Sequence, residues 1–241
     1  MKFENTQVWG FEHAMRGMRN PMNSWDKSDS HYGTTLVSMV NDFLNNEYFR
    51  PIAMYDIGEN DMKLAQKLIR AGSEHRKFMR QIFVSVDITA PLYWWKEFDT
   101  YKIGTVSNST STMHKLASTP ITLECFETGD YTQVDSRINI IIELCEDLRQ
   151  KYLETKDKVY WKELIRWLPE SWLQKRTVTM NYENLLSMCS KGQRRSHKLN
   201  EWSGIDDPTV PNFISWARTL RYAQELIFLD ELDEEIEPVE E

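Results

Sequence analysis

Between residues 82 and 88 the apolar side chains fall on every second position, Ile82, Val84, Val86 and Ile88, with Phe83 between them, and Pro91 follows three residues later. A period of two is that of a strand with one face in a core. It stands among stretches whose apolar residues recur every three or four positions, so the chain has to pack a sheet against helices. Val8, Phe11, Met15 and Met18 predict a first helix over 6–19, stopped by Pro21. After the Ser/Asp-rich link "NSWDKSDSHYG", Leu36, Met39, Val40, Phe43 and Leu44 predict a second helix over 34–49. A third is expected over 60–71, with Gly72 as its C-cap.

The polar stretch 99–113 reads as a loop. Beyond it Ile138, Ile141, Leu144, Leu148 and Leu153 mark a helix over 137–154, with shorter patterns at 159–168 and 178–189 and a last amphipathic helix over 211–229. No internal repeat is visible, and the fold class is α+β with helix predominating.

A length of 241 residues with 41% apolar content suits one domain over residues 1–229 with a real core. Residues 230–241, "DELDEEIEPVEE", hold eight acids and no Lys or Arg, and read as a disordered acidic tail. They account for the whole formal charge of −8, and a neutral remainder gives no reason to expect a nucleic-acid polymer as partner. Cys125, Cys145 and Cys189 are far apart, form no CxxC pair and read as reduced core thiols, with no metal site implied. No apolar run approaches the roughly 20 residues that span a bilayer, so a cytoplasmic protein without membrane contact is expected.

The chemistry gathers around "EFDTYKIGTVSNSTS", residues 97–111, where seven hydroxyl-bearing side chains follow the aromatic run "APLYWW". Such a stretch is a solvated turn-rich loop or a surface that hydrogen-bonds a nucleotide. Two basic clusters flank it in sequence: "HRKFMR" with His75, Arg76, Lys77 and Arg80, and "KGQRRSHK" with Lys191, Arg194, Arg195, His197 and Lys198. Each is either a solvated face or half of a clamp for an anion, since Arg presents a planar fork to phosphate and Lys a mobile charge. Trp94 and Trp95 are either core or stacking surfaces for a planar ring. There is no Gly-rich phosphate loop, HExxH or GxSxG.

This order of elements resembles the flavin-dependent thymidylate synthases, the ThyX family, whose signature runs from an AP-containing segment through RHR, a serine, NE, a second serine and RY. Laid on it without gaps, "APLYWWKEFDTYKIGTVSNSTSTM" places Thr100, Tyr101 and Lys102 at RHR and Thr105 at the first serine. Ser107 and Asn108 then fall at NE, Thr110 at the second serine, and Thr112 and Met113 at RY. The stretch "WLPESWLQKRTVTMNYENLLSMCSKGQRRSHKLNEW" is similar to the family's closing region, with Asn181 at its Asn, Arg194 or Arg195 at its Arg and Glu201 at its Glu. The resemblance spans residues 60–205 and matches the frame more than the residues.

It implies a helix-rich α+β fold with a mixed or antiparallel sheet packed with helices, and a homotetramer that binds FAD and dUMP, with methylene-tetrahydrofolate and NADPH as co-substrates. Carried over residue by residue, it implies Arg194, Arg195 and His75 as catalytic groups. Arg76, Lys77, Arg80, Tyr101, Lys102, Asn108 and Asn181 would contact the cofactor, and Glu97, Ser109, Thr110 and Ser111 the nucleotide. Glu97 stands where the family has Gln; a carboxylate there would accept from a cytosine amino group and repel a uracil carbonyl. Three readings stay open: a divergent flavin-dependent methyl- or hydroxymethyltransferase acting at C5 of a pyrimidine deoxynucleotide, a nucleotide-binding protein that has lost FAD, and an α+β interaction protein with a solvated loop.

Overall fold

The structure, a computed structural model, describes residues 1–41, 46–128, 137–192 and 194–236, and of residues 35–41, 46–51, 235 and 236 the backbone alone. In chain order it runs β1 (Lys2–Trp9), α1 (Phe11–Arg19), β2 (His31–Asn41), β3 (Asn46–Asp56), α2 (Glu59–Arg70), β4 (Phe83–Pro91) and α3 (Leu92–Phe98). There follow β5 (Val106–Ser109), α4 (Thr112–Lys115), α5 (Arg137–Thr155), α6 (Lys158–Trp167), β6 (Leu173–Asn181) and α7 (Tyr182–Met188). Short helices α8 (Asn200–Ser203), α9 (Phe213–Arg218), α10 (Ala223–Leu226) and α11 (Leu229–Ile236) come last. One sheet has the order β1-β4-β6-β5, with β5 antiparallel to β6, and β2 and β3 form an antiparallel hairpin. The architecture is the helix-rich α+β class expected.

Two compact units form, each from three separate stretches of chain. The first comprises Met1–Gln7, Ser85–Met180 and Lys191–Ala217. Here Val86, Ile88 and Ala90 of β4 are buried on one face, as their period predicts, with Trp94, Trp95 and Phe98 of α3, Trp202 of α8 and Phe213 of α9. Trp94 meets Phe98 at 5.3 Å and Trp202 at 5.5 Å between ring centroids, and Trp202 meets Phe213 at 5.0 Å. Each buried ring contributes about 1.5–3 kcal/mol from area alone. A second apolar cluster joins Leu116, Ile121 and Phe126 to Cys145 of α5 and Leu164 of α6. Glu146 of α5 ties its edge, taking both arms of Arg149 at 2.7 and 2.6 Å and the backbone N–H of Ile121 at 2.8 Å.

The second unit comprises Val8–Val84, Asn181–Ser190 and Arg218–Glu241. Its core draws Phe11, Ala14, Met15 and Met18 from α1, Ala65 and Ile69 from α2, and Tyr182, Leu185 and Met188 from α7. Within it Asp61 is fully buried and accepts from Arg19 Nε through one oxygen and from the Ser28 and Ser30 hydroxyls through the other. Asp29 supplies the cap that α2 lacks, accepting from the Asn60 and Asp61 N–H groups at 2.8 and 3.1 Å. A Cβ at Gly58 would come within 2.2 Å of the Asp29 carboxyl carbon, so only glycine lets that loop close.

Several expectations are corrected. The helix expected over 34–49 is the β2–β3 hairpin, paired from His31 with Asp56 to Asn41 with Asn46; Phe43 and Leu44 lie outside the described residues. Residues 6–9 belong to strand β1, and α1 begins only after Gly10. The loop expected over 99–113 contains β5 and the start of α4. The pattern over 178–189 is the end of β6 followed by α7, and the last amphipathic helix breaks at Tyr222, whose φ is 57°. Residues 230–236, expected in a disordered tail, are helical, with Asp233 paired to Arg70 and Glu231 to Arg218; residues 237–241 lie outside the described residues. All three cysteines are free, two of them buried. Among the described residues no helix is long and apolar enough to cross a membrane, and no group of side chains is arranged to hold a metal ion.

Two consequences are testable. Asp61→Ala would leave Arg19 buried without its counter-charge, so urea unfolding should show a loss of about 3–5 kcal/mol; a loss below about 1 kcal/mol would mean the pair is not a keystone. The Glu146 carboxyl is held down to about 2 from an ordinary 4.5, first by the Arg149 guanidinium and further by Ile121 N–H and Gln150. A depressed folded-state pKa gives stability that is present above the unfolded value and is lost as the pH falls from about 4.5 toward about 2. Thermal melts across that window should show Glu146→Gln to be less stable than the parent at neutral pH and less sensitive to acid; equal slopes would refute the assignment.

Candidate functional site

Glu97 lies on the last turn of α3, one turn before Tyr101, and the chain between them curls into a short 3-10 turn, Asp99–Tyr101. The Tyr101 hydroxyl therefore reaches back and donates to Glu97 Oε1 at 3.1 Å. From the segment after Lys191, the Arg194 guanidinium stacks 4.1 Å above the Tyr101 ring centroid. Burial pushes the Tyr101 phenol up, against the opposing pull of Arg194, so it stays a donor. Arg194 Nη1 is buried and has no hydrogen-bond partner among the described residues. A cationic N–H in that state is costly unless something supplies an acceptor.

His197 completes the cluster. Its Nδ1 accepts the Leu199 backbone N–H at 3.1 Å, which leaves the ring proton on Nε2, and Nε2 faces Glu97 Oε1 at 3.6 Å. The Trp202 ring lies 5.6 Å from His197 and 5.4 Å from Tyr101, closing one side. Ser203 Oγ fixes the backbone by donating to the His197 carbonyl at 2.7 Å. Glu97, Tyr101, Arg194 and His197 thus form one polar group against an aromatic floor. The sequence points to the first three for function and places His197 in a basic cluster.

The hydroxyls of 97–111 divide by role. Thr100 and Thr105 donate to the carbonyls of Glu97 and Lys102 at 2.8 and 2.9 Å, and Ser111 caps α4 by accepting from the His114 N–H at 3.1 Å. Ser107, Asn108 and Ser109 are exposed along β5, which is the edge strand; Asn108 pairs with Thr177 and Ser109 with Arg176. Thr110 N–H donates to the Lys175 carbonyl at 2.8 Å, and Lys102 is exposed in the turn before β5. Arg195 lies beside Arg194 in the same turn.

The other nominated residues lie in the second unit. His75 and Lys77 line a cavity of about 700 Å³ whose walls include Met18, Leu64, Leu68 and Phe78. Lys77 is 3.3 Å from Glu74, and Arg80 is exposed in the 3-10 turn Lys77–Gln81. Arg76 donates through Nε to both oxygens of Glu183, at 3.1 and 3.0 Å. Asn181 is the N-cap of α7, exchanging hydrogen bonds with Asn184 in a capping box. The resemblance implies cofactor contacts for Arg76 and Asn181, and here both side chains bond within the fold.

No protein-family model matches the chain, and no curated protein matches it. Solved structures do. A flavin-dependent thymidylate synthase ThyX from Helicobacter pylori complexed with FAD and dUMP superposes with a TM-score of 0.61 at 15% identity, over 95% of this chain and 99% of that one. A second structure of ThyX from Helicobacter pylori with FAD and dUMP gives 0.64 at 14% identity, over 95% and 98%. A UMP/dUMP methylase, PolB from Streptomyces cacaoi bound with 5-Br dUMP, covers 68% of this chain and 78% of its own at 16% identity, with a TM-score of 0.43. Nearly the whole length of both Helicobacter chains is matched, and at such low identity what is shared is architecture: this chain has the fold of the ThyX flavin-dependent thymidylate synthases.

Proposed function

We propose that this protein binds a pyrimidine deoxynucleotide, dUMP or its cytosine counterpart, and acts on it as a divergent flavin-dependent one-carbon transferase at C5. The observation that carries the reading is the buried, unpartnered Nη1 of Arg194, held in place by the Tyr101 ring beside the Glu97 carboxylate. A pyrimidine edge offers what this pair lacks, a carbonyl for Arg194 and an N–H for Glu97. Arg194 would polarise the ring carbonyl as negative charge develops, with Arg195 in support, and the hydroxyls of Ser109, Thr110 and Ser111 would hold the phosphate. His197, with its proton on Nε2, would orient the Glu97 carboxylate.

The cavity beside His75 has the size for a cofactor: about 700 Å³ lies within the usual range for small-molecule sites, and its walls mix Met18, Leu64, Leu68 and Phe78 with Asn20, Ser24, Gln81 and the Lys77–Glu74 pair. His75 and Lys77 would hold FAD there, with Arg80 as a further contact. Bound flavin would supply a hydride, with NADPH as its source and methylene-tetrahydrofolate as carbon donor. A homotetramer is the assembly that goes with this reading. The alternative is a nucleotide-binding protein without catalysis. Arg76 favours it, since its guanidinium is already held by Glu183.

Absorbance titration with FAD separates the two: a flavin spectrum perturbed on binding supports the transferase, and nucleotide binding without flavin supports the alternative. In calorimetry Arg194→Ala should weaken nucleotide binding by about 10- to 100-fold, the worth of a charged hydrogen bond, while leaving the melting temperature nearly unchanged. An unaltered affinity would remove Arg194 from the site. The parent should bind dCMP more tightly than dUMP, and Glu97→Gln should reverse the order; tighter dUMP binding by the parent would end the base assignment.

A further inference from the structure

A second cavity, about 460 Å³, opens at the root of the β2–β3 hairpin, with Trp9, Phe11, Glu12, Tyr32, Tyr55 and Arg221 in its wall. The turn that shapes it permits only glycine: Gly10 has φ 97°, and a Cβ there would lie 2.0 Å from the Gln81 carbonyl oxygen. That turn sets Trp9 and Phe11 on either side of the corner between β1 and α1. Phe83 stacks on the Trp9 ring at 5.8 Å, yet Trp9 remains 45% exposed. Across the hairpin Tyr32 pairs with Tyr55 edge to face at 5.2 Å, and Tyr32 is 60% exposed. Aromatic rings left open around one cavity offer a surface on which a ligand can pack.

The charged side chains at the wall are Glu12 and Arg221. Glu12 accepts the Tyr32 hydroxyl at 2.9 Å and faces the cavity as a carboxylate. Arg221 is the opposing charge, but its guanidinium donates to the Asp56 carboxylate and to the Tyr222 hydroxyl at 3.1 Å, and it rests 4.8 Å from the Tyr222 ring centroid. Arg221 also lies 5.8 Å from the Phe11 ring centroid and His13 lines the wall, so with Arg221 matched by Asp56 the surplus fixed charge is that of Glu12, beside the open rings of Trp9 and Tyr32. Ring faces carry the negative part of the aromatic quadrupole, and such faces beside a carboxylate hold cations whose charge is wrapped in methyl groups.

We propose that this cavity binds a small alkylammonium cation. The site is separate from the nucleotide cluster and stands whether or not that reading survives. Calorimetry on the full chain with choline, tetramethylammonium, the neutral choline isostere 3,3-dimethyl-1-butanol, and inorganic phosphate tests it. Both cations should bind, and the neutral isostere should bind about tenfold more weakly, the margin that charge on an aromatic face provides. Trp9→Ala, Tyr32→Ala and Glu12→Gln should each weaken choline binding by about tenfold or more, with far-ultraviolet circular dichroism unchanged; Tyr32, being mostly exposed, guards against loss of fold. Equal affinity for choline and the neutral alcohol, no binding of either cation, or binding of phosphate in preference would overturn the proposal.

Discussion

The candidate site hangs on the Trp94 indole. Fully buried, it packs between Phe98 of its own helix and Trp202 of α8, and Phe213 closes behind Trp202. These contacts fix α3 against α8, and so fix Glu97 against His197 and the Arg194 turn just before α8. A methyl group's worth of slack there would be felt directly in the 3.6 Å approach of His197 Nε2 to Glu97. The aromatic content that sequence reading left open between core and stacking surface is resolved for Trp94 and Trp95 as core. The polar groups around them inherit the rigidity of that core.

Four arginines are taken up by the fold: Arg19 is held by Asp61, Arg76 by Glu183, Arg149 by Glu146 and Arg221 by Asp56. Arg194 differs because it is stacked on a ring and retains a buried N–H to donate. This contrast, more than the number of basic residues, is what singles out a place where a ligand would satisfy an existing demand.

Where the apolar period was long and unbroken, sequence reading located the element. The strand at Ile82–Ile88, the helix at 60–71 and the helices at 137–154 and 159–168 all correspond to β4, α2, α5 and α6 within a few residues. Residues 34–49 read as a helix because apolar residues four apart stay on one face of a strand as well as of a helix. Strand β6 and helix α7 merged into one because the period changes at Asn181, and only the capping box reveals the change. Glu97, Tyr101 and Arg194 were legible as polar residues in an aromatic setting. The role of His197 was not, because its tautomer is set by the Leu199 N–H, a donor that every backbone carries. Nor does any local pattern announce that Glu183 claims Arg76 from 107 residues away.

The acidic C-terminal helix changes meaning once its partners are seen. Asp233 meets Arg70 of α2, and Glu231 meets Arg218, whose guanidinium also lies 4.2 Å from the Phe228 ring centroid. Both ion pairs are partly exposed, where each is worth at most about 1 kcal/mol and is screened by salt. Helix α11 is therefore a clasp whose grip depends on ionic strength, joined to a core that does not.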